Sequence, residues 1–365
     1  MKIKEITQYL ESIAPLAYQE SYDNSGLIVG NPQTEITGIL ICLDSIEDVL
    51  DEALAKNCNV IIAHHPIIFG GLKKITGKNY VEKIIIKAIK NDLAIYAIHT
   101  NLDNVWNGVN AKISDKLGLK NQRILLNKAK TLRKLTTFVP VQDSEKLLEA
   151  LAKAGAGNIG NYSNCSFLVE GTGTFLPNEN ANAHIGKPNQ LEKVKENRIE
   201  VIFPVHLQQN VLNALQTAHP YEEVAYYLHE LENQNQELGS GMIGELENEM
   251  TENEFLAHLK QKMGLKVIKH TKFLNKKVKK VAVCGGTGSF LLKTAISNQA
   301  DVFVSADFKY HEFFDADHQI MIADIGHYES EIFTCELLKD FVEKRFLGLE
   351  IQITKVVTNP VEYFL

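Results

Sequence analysis

The sequence predicts an α/β protein in which a discontinuous α/β domain, built from residues 1–130 and 233–365, is interrupted by an inserted ferredoxin-like α+β domain at residues 131–232. Two blocks of short apolar runs alternating with amphipathic stretches, one ending near Leu119 and one starting at Val278, predict the outer part. A middle stretch of different grammar predicts the insertion. At 365 residues the chain exceeds the usual single-core size, and 45% hydrophobic residues supply enough apolar material for two or three folding units.

In order along the chain, "ITGILICLD" reads as a strand, residues 45–56 as a helix, "NVIIAHHP" as a strand, residues 80–91 as a helix and "LAIYAIHT" as a strand. This βαβ order implies a mostly parallel sheet with helices over its faces. Polar chemistry in such sheets gathers at the carboxyl ends of strands, and His64, His65, His99 and Asp103 fall at or just past those ends.

In the middle, "LRKLTTFVPV" and "RIEVIFPVHL" read as strands, each followed by a helical run, at 144–154 and 208–217, with "CSFLVEGTGTFLP" between the halves. That order is the ferredoxin-like pattern, and "ELENQNQEL" reads as its exit linker. Beyond Val278 come "VKKVAVCGG", a helix over 290–298, "DVFVSAD", a short helix over 310–316, "QIMIADIG", one helix from 329 to 345, and a closing strand in "LEIQITKV".

The formal charge of -7, from 38 basic and 45 acidic residues without a long single-sign run, argues against general nucleic-acid or anionic-membrane binding. Five scattered cysteines with no CxxC pair fit a reduced intracellular protein. Helical periodicity at the N-terminus is broken by Glu5, Glu11 and Glu20, so no signal peptide or spanning helix is read there and the cytoplasm is the expected address.

Histidines and carboxylates carry the chemistry. Adjacent His64 and His65 alternate faces on a regular strand, but they can converge where the strand ends, and Pro66 stops the ladder. His327 and Glu331, at i and i+4, share a helix face and can address one ion. Asp103 reads as a carboxylate able to bridge two ions, or equally as an N-cap before a helix near Gly108. His99 can line the pocket, while Asp307, Lys309 and His311 can supply an acid, a base or a cation for a phosphate, or simply form a charged surface turn. The small-residue turn "CGGTGS" has backbone amides that could take an anion, although it lacks the Walker lysine and the full GxGxxG pattern.

Taken together, "SYDNSGLIVG", "IIAHHPIIF", "IHTNLDN", "SADFKYHE" and "DIGHYESE" resemble the dinuclear-metal-centre proteins known as GTP cyclohydrolase 1 type 2 homologs, over essentially the whole chain. The resemblance implies metal ligands at His64, His65, Asp103, His327 and Glu331 for two divalent ions per subunit. Zinc or iron is expected, and manganese, cobalt or nickel is permitted by nitrogen and oxygen donors without thiolate. It also implies a ring-shaped homohexamer with the metal sites facing an inner cavity. The middle segment, through "AGAGNIGNYSNCSF" and "AHPYEEVAYY", is similar to the extra domain of the longer bacterial members, related in fold to nitrogen-regulatory (PII) and CutA-type proteins; its loop "ENANAHIGKPNQLE" is unusually rich in Asn.

The activity implied is hydrolysis of a small-molecule substrate, GTP, to dihydroneopterin triphosphate and formate by metal-activated water, with His99, Lys309 or His311 shuttling protons or meeting phosphate oxygens. A dinuclear phosphoesterase and a metal-delivery protein whose ions are cargo are the competing readings.

Overall fold

Cα packing divides the described residues, 1–364, into two compact units in the computed structural model: residues 1–126 with 237–364, and residues 127–236. The junctions expected from sequence, 130/131 and 232/233, each lie four residues inside these. Strand β5 ends at Asn127, and on the return Leu238 bridges Val105.

The first segment runs α1 (Ile3–Ile13), β1 (Gly26–Val29), β2 (Ile39–Cys42), α2 (Glu47–Ala55), β3 (Val60–Ala63), α3 (Tyr80–Lys90), β4 (Ala94–Ala97), α4 (Thr100–Asp103), α5 (Val109–Leu117) and β5 (Lys120–Asn127). The middle holds β6 (Leu132–Pro140), α6 (Ser144–Lys153), β7 (Phe167–Phe175), β8 (Glu192–Pro204), α7 (Gln208–Ala218) and β9 (Tyr226–Leu231). The last segment has β10 (Gly239–Thr251), α8 (Glu252–Met263), β11 (Lys269–His270), β12 (Lys277–Thr287), α9 (Leu292–Ser297), β13 (Val302–Ala306), β14 (Met321–Asp324), α10 (His327–Glu331), α11 (Thr334–Arg345) and β15 (Ile351–Ile353).

Two sheets build the first unit. One has the order β1-β4-β3-β2-β15, with β15, β2, β3 and β4 parallel and β1 antiparallel at its edge. Every residue of β2, β3 and β4 is buried, as in a parallel sheet covered on both faces. The other has the order β11-β14-β13-β12-β10-β5, with β12, β13 and β14 parallel. Ile41, Ile62 and Tyr96 of the first sheet share one core with Val283, Val304 and Ala323 of the second and with Leu10, Ile113 and Leu338 from helices.

Strand β10 is not legible in the sequence because "GSGMIGELENEM" mixes glycine and acids with its apolar residues, which hides the alternation, and β5 because "KNQR" opens it with four polar residues. The helix expected from 329 to 345 is two helices. Between them the Cys335 amide reaches back to Ile332, three residues rather than four, and this tight turn redirects the chain.

The second unit has one antiparallel sheet of order β7-β8-β6-β9. Leu147 and Leu151 of α6 and Val211 and Leu215 of α7 pack onto Leu135, Val139, Ile199 and Phe203 from that sheet. Glu222 and Glu223, read from sequence as a polar helix or strand edge, lie in the turn between α7 and β9. Among the described residues no helix is long and apolar enough to cross a membrane.

Candidate metal centre

Both sheets of the first unit bring the carboxyl ends of their parallel strands to one cavity of about 900 Å³. β3 ends at Ala63, but the ladder continues for two more amides, His64 to the Cys42 carbonyl and His65 to the Leu43 carbonyl, before Pro66. β4 ends at Ala97, and His99 then leads into α4, whose last residue is Asp103. From the other sheet, Gly326 opens α10 at φ 91°, and one turn later Glu331 lies beside His327.

The four histidines are held alike. Nδ1 of His64 donates to the Ile98 carbonyl at 2.8 Å, that of His65 to Asp44 at 2.7 Å, that of His99 to Asp23 at 2.8 Å and that of His327 to Asp307 at 2.6 Å. Such a bond fixes the ring and leaves Nε2 as the nitrogen free to meet another group. Nε2 of His65 lies 2.9 Å from Glu331 Oε2, and Nε2 of His327 lies 3.0 Å from the same oxygen. The two Nε2 atoms are 3.3 Å apart. On the other side of that carboxylate, Oε1 is 3.9 Å from His64 Nε2, which lies 3.6 Å from Asp103 Oδ1.

His64 Nε2 and Asp103 Oδ1 are buried and have no hydrogen-bond partner among the described residues. An orphaned imidazole nitrogen facing an orphaned carboxylate oxygen, just beyond hydrogen-bond reach, is an arrangement that a cation between them would satisfy. The donors of His64, His65 and His99 lie within 4.8 Å of one another, as do those of His65, His327 and Glu331, so the residues fit a metal on geometric grounds.

Electrostatics follow from this crowding. Burial disfavours charge on His65, but hydrogen bonds with Asp44 and Glu331 outweigh it and push its pKa up to about 10. His327 is buried too, and Glu331 and Asp307 push it up to about 9. Burial opposes ionisation of Glu331, yet His327, His64 and His65 hold it well below the usual carboxylate range. Asp103 goes the other way, to about 7, through burial and the negative charge of Glu331.

Some expectations change. Glu331 is the carboxylate that faces both His65 with His327 and His64, delivered by α10 from beside β12 and β13, while Asp103 lies near His64. The "CGGTGS" amides do not form an anion cradle at their start: the Gly285 amide donates to Asn110 and the Gly286 amide to Ser330. Instead Gly286, at φ +60°, leaves the space that the Glu331 carboxylate fills, since a Cβ there would collide with Oε1. Lys309 and His311 are exposed and do not line the cavity, because the left-handed turn at Asp307 turns the chain away. His99 does line it.

The sequence reading missed Asp23 and Asp44 as the groups that orient His99 and His65. Each follows no spacing rule relative to its histidine, 76 and 21 positions away. Thr358, near the C-terminus, also went unread; its hydroxyl donates to Asp44 Oδ2 at 2.6 Å and so braces the acid behind His65.

Among known proteins, the Duf34/NIF3 (NGG1p interacting factor 3) family matches residues 1–360. The chain is 38% identical over 363 residues to a GTP cyclohydrolase 1 type 2 homolog of Bacillus subtilis, covering 98% of this chain and 97% of that one. It is 39% identical over 360 residues to the homolog of Halalkalibacterium halodurans, covering 97% of each. In structure it is similar to a Bacillus cereus protein related to NIF3, with TM-score 0.86 and 41% identity over 100% of this chain and 99% of that one. A Staphylococcus aureus protein follows at TM-score 0.79 and 29% identity, again over 100% and 99%. A match that runs through both units and through every motif of the histidine cluster has one meaning: the chain belongs to the Duf34/NIF3 family.

Proposed function

We propose that this is a dinuclear divalent-metal protein acting as a hydrolase of the GTP cyclohydrolase 1 type 2 kind, with His64, His65, Asp103, His327 and Glu331 holding the ions. The observation that carries the reading is the Glu331 carboxylate: one oxygen faces His65 and His327, and the other faces His64, which is itself close to Asp103. That division supports two positions rather than one, since a shared carboxylate offsets the repulsion between neighbouring cations. Nitrogen and oxygen donors favour zinc or iron. When bound, such a pair lowers the pKa of water and supplies a nucleophile near neutral pH.

The protein's own groups do the rest. Asp44, Asp307 and the Ile98 carbonyl hold the three ligand imidazoles with Nε2 inward. His99, held by Asp23 on the cavity wall, is placed to take or deliver a proton at the substrate. Tyr22, Phe69, Phe290 and Tyr328 line the same cavity and offer flat apolar surfaces for a purine ring. Of the three proton-shuttle candidates, His99 is on this cavity wall, while Lys309 and His311 are exposed outside it and remain candidates for meeting phosphate oxygens. The βαββαβ order of the second unit and its sheet order support a ferredoxin-like fold related to PII and CutA proteins. Homohexameric assembly and a cytoplasmic address belong to the same reading and rest on the family resemblance.

The test is purified protein loaded with zinc or iron and supplied with GTP, followed by pterin fluorescence. Turnover that disappears in Glu331→Ala is expected; no turnover, or turnover unchanged in that variant, overturns the hydrolase reading. Metal analysis with anomalous scattering at the five ligands tests the ion pair separately.

A further inference from the structure

The second unit contains a cavity of its own, about 640 Å³, lying wholly within residues 138–227 and lined by no residue of the histidine cluster. Its wall includes Glu196, buried at 7% exposure on strand β8. Glu196 Oε1 accepts a hydrogen bond from the Tyr221 hydroxyl at 2.8 Å. Strand β7 passes this carboxylate at Gly173, where any Cβ would collide with Oε2, so glycine there leaves room for the carboxylate. A carboxylate on the wall of a cavity offers a counter-charge to a cation from outside the chain.

The surroundings say which kind. Phe138, Phe175, Tyr221 and Tyr227 line the cavity, packed as pairs with ring centroids 5.8 Å apart for Phe138 and Tyr227 and 5.9 Å apart for Phe175 and Tyr221. Aromatic faces beside a carboxylate attract a cation that is itself partly apolar. Glu222 and Glu223 add negative charge, and the Asn182 amide donates to Glu222 at 2.8 Å, which fastens the Asn-rich loop beside the cavity. Arg198 in the wall is bound to Glu200 and His184 packs against Tyr221, so the three carboxylates Glu196, Glu222 and Glu223 outnumber the basic groups of the wall. A divalent metal is a poor fit, since the groups of three clustered metal donors among the described residues lie at the other site.

We propose that this cavity binds a compact organic ammonium ion, with Glu196 as its counter-charge and the aromatic rings as its walls. The site is independent of the metal centre and does not rest on the hydrolase reading.

Titration calorimetry on the full chain with choline, with propylammonium and with 3,3-dimethylbutanol, the uncharged counterpart of choline, tests this. Saturable binding of at least one ammonium probe is expected, with no binding of the alcohol. Glu196→Gln should weaken it about tenfold or more, and Tyr227→Ala, at an exposed ring, several-fold. Glu331→Gln, in the other unit, should leave it unchanged. Failure of both ammonium probes to saturate overturns the proposal, as does equal binding of the alcohol. If Glu196→Gln does not fold, unchanged affinity in Tyr227→Ala overturns it instead.

Discussion

The imidazole of His65 and the carboxylate of Glu331 meet at 2.9 Å across 266 positions of sequence. The contact joins the carboxyl end of β3 in one sheet to helix α10 beside the other, so the two outer segments of the chain complete a single cluster. Its consequences can be measured.

Replacing Glu331 with Gln removes the negative charge shared by both sides of the cluster while keeping its shape. Metal retained per chain, measured by plasma mass spectrometry after dialysis, should fall to half or less of the wild-type content. Circular dichroism should stay native, because the cores near Val283 and Ile41 are untouched.

Asp44→Asn and Asp307→Asn leave the proposed ligands in place but weaken the bonds that orient His65 and His327. Loss of such supporting carboxylates should weaken metal affinity about 10–100-fold, read by competition with a chelator. Lys309→Ala and His311→Ala, at exposed residues off the cavity wall, should leave it unchanged.

Metal uptake should release protons and tighten as pH rises through neutrality. His65, pushed up to about 10, and His327, pushed up to about 9, carry protons that a cation must displace. Calorimetry in buffers of different ionisation enthalpy reads the number released. For the metal-free protein the sign reverses. The raised pKa of His65 contributes stability that is fully present below its ordinary value of 6.5 and is lost as pH rises through about 10, so the unfolding temperature should fall across that window.

Gly286→Ala places a side chain against Glu331 Oε1 and also forces alanine to φ +60°. A cost of about 1–3 kcal/mol is expected in urea unfolding, together with reduced metal content. Full metal retention would mean that the carboxylate can move aside.

Glu52 fastens the end of the chain: Thr354 donates its hydroxyl, Lys355 its amide, and Lys56 its ammonium group at 2.6 Å. Burial resists ionisation, but these donors win and hold Glu52 at about 2. Its depressed pKa gives stability that is present above the ordinary 4.5 and is lost as pH falls through about 2. Glu52→Gln should cost about 1–2 kcal/mol at neutral pH and flatten the acid limb of the stability profile.

Much of this is legible in the sequence itself. Period-two and period-3.6 patterning marked most strands and helices, and strand-end placement marked His64, His65, His99 and Asp103, because a parallel sheet leaves its polar groups nowhere else to go. The i, i+4 spacing likewise made His327 and Glu331 neighbours on one helix turn. Such local rules depend only on backbone geometry, and one chain suffices to read them.

What tertiary structure alone decided is which partners those residues meet. Which histidines Glu331 and Asp103 meet depends on how α10 packs beside β12 and β13, and no spacing encodes that. The same holds for Asp23 and Asp44 behind their histidines, for Thr358 behind Asp44, and for the turn at Asp307 that takes Lys309 and His311 off the cavity wall. Hydrogen bonds and charge act through space over a few ångströms, so residues hundreds of positions apart acquire their roles only when the cores of the two sheets bring them within that range.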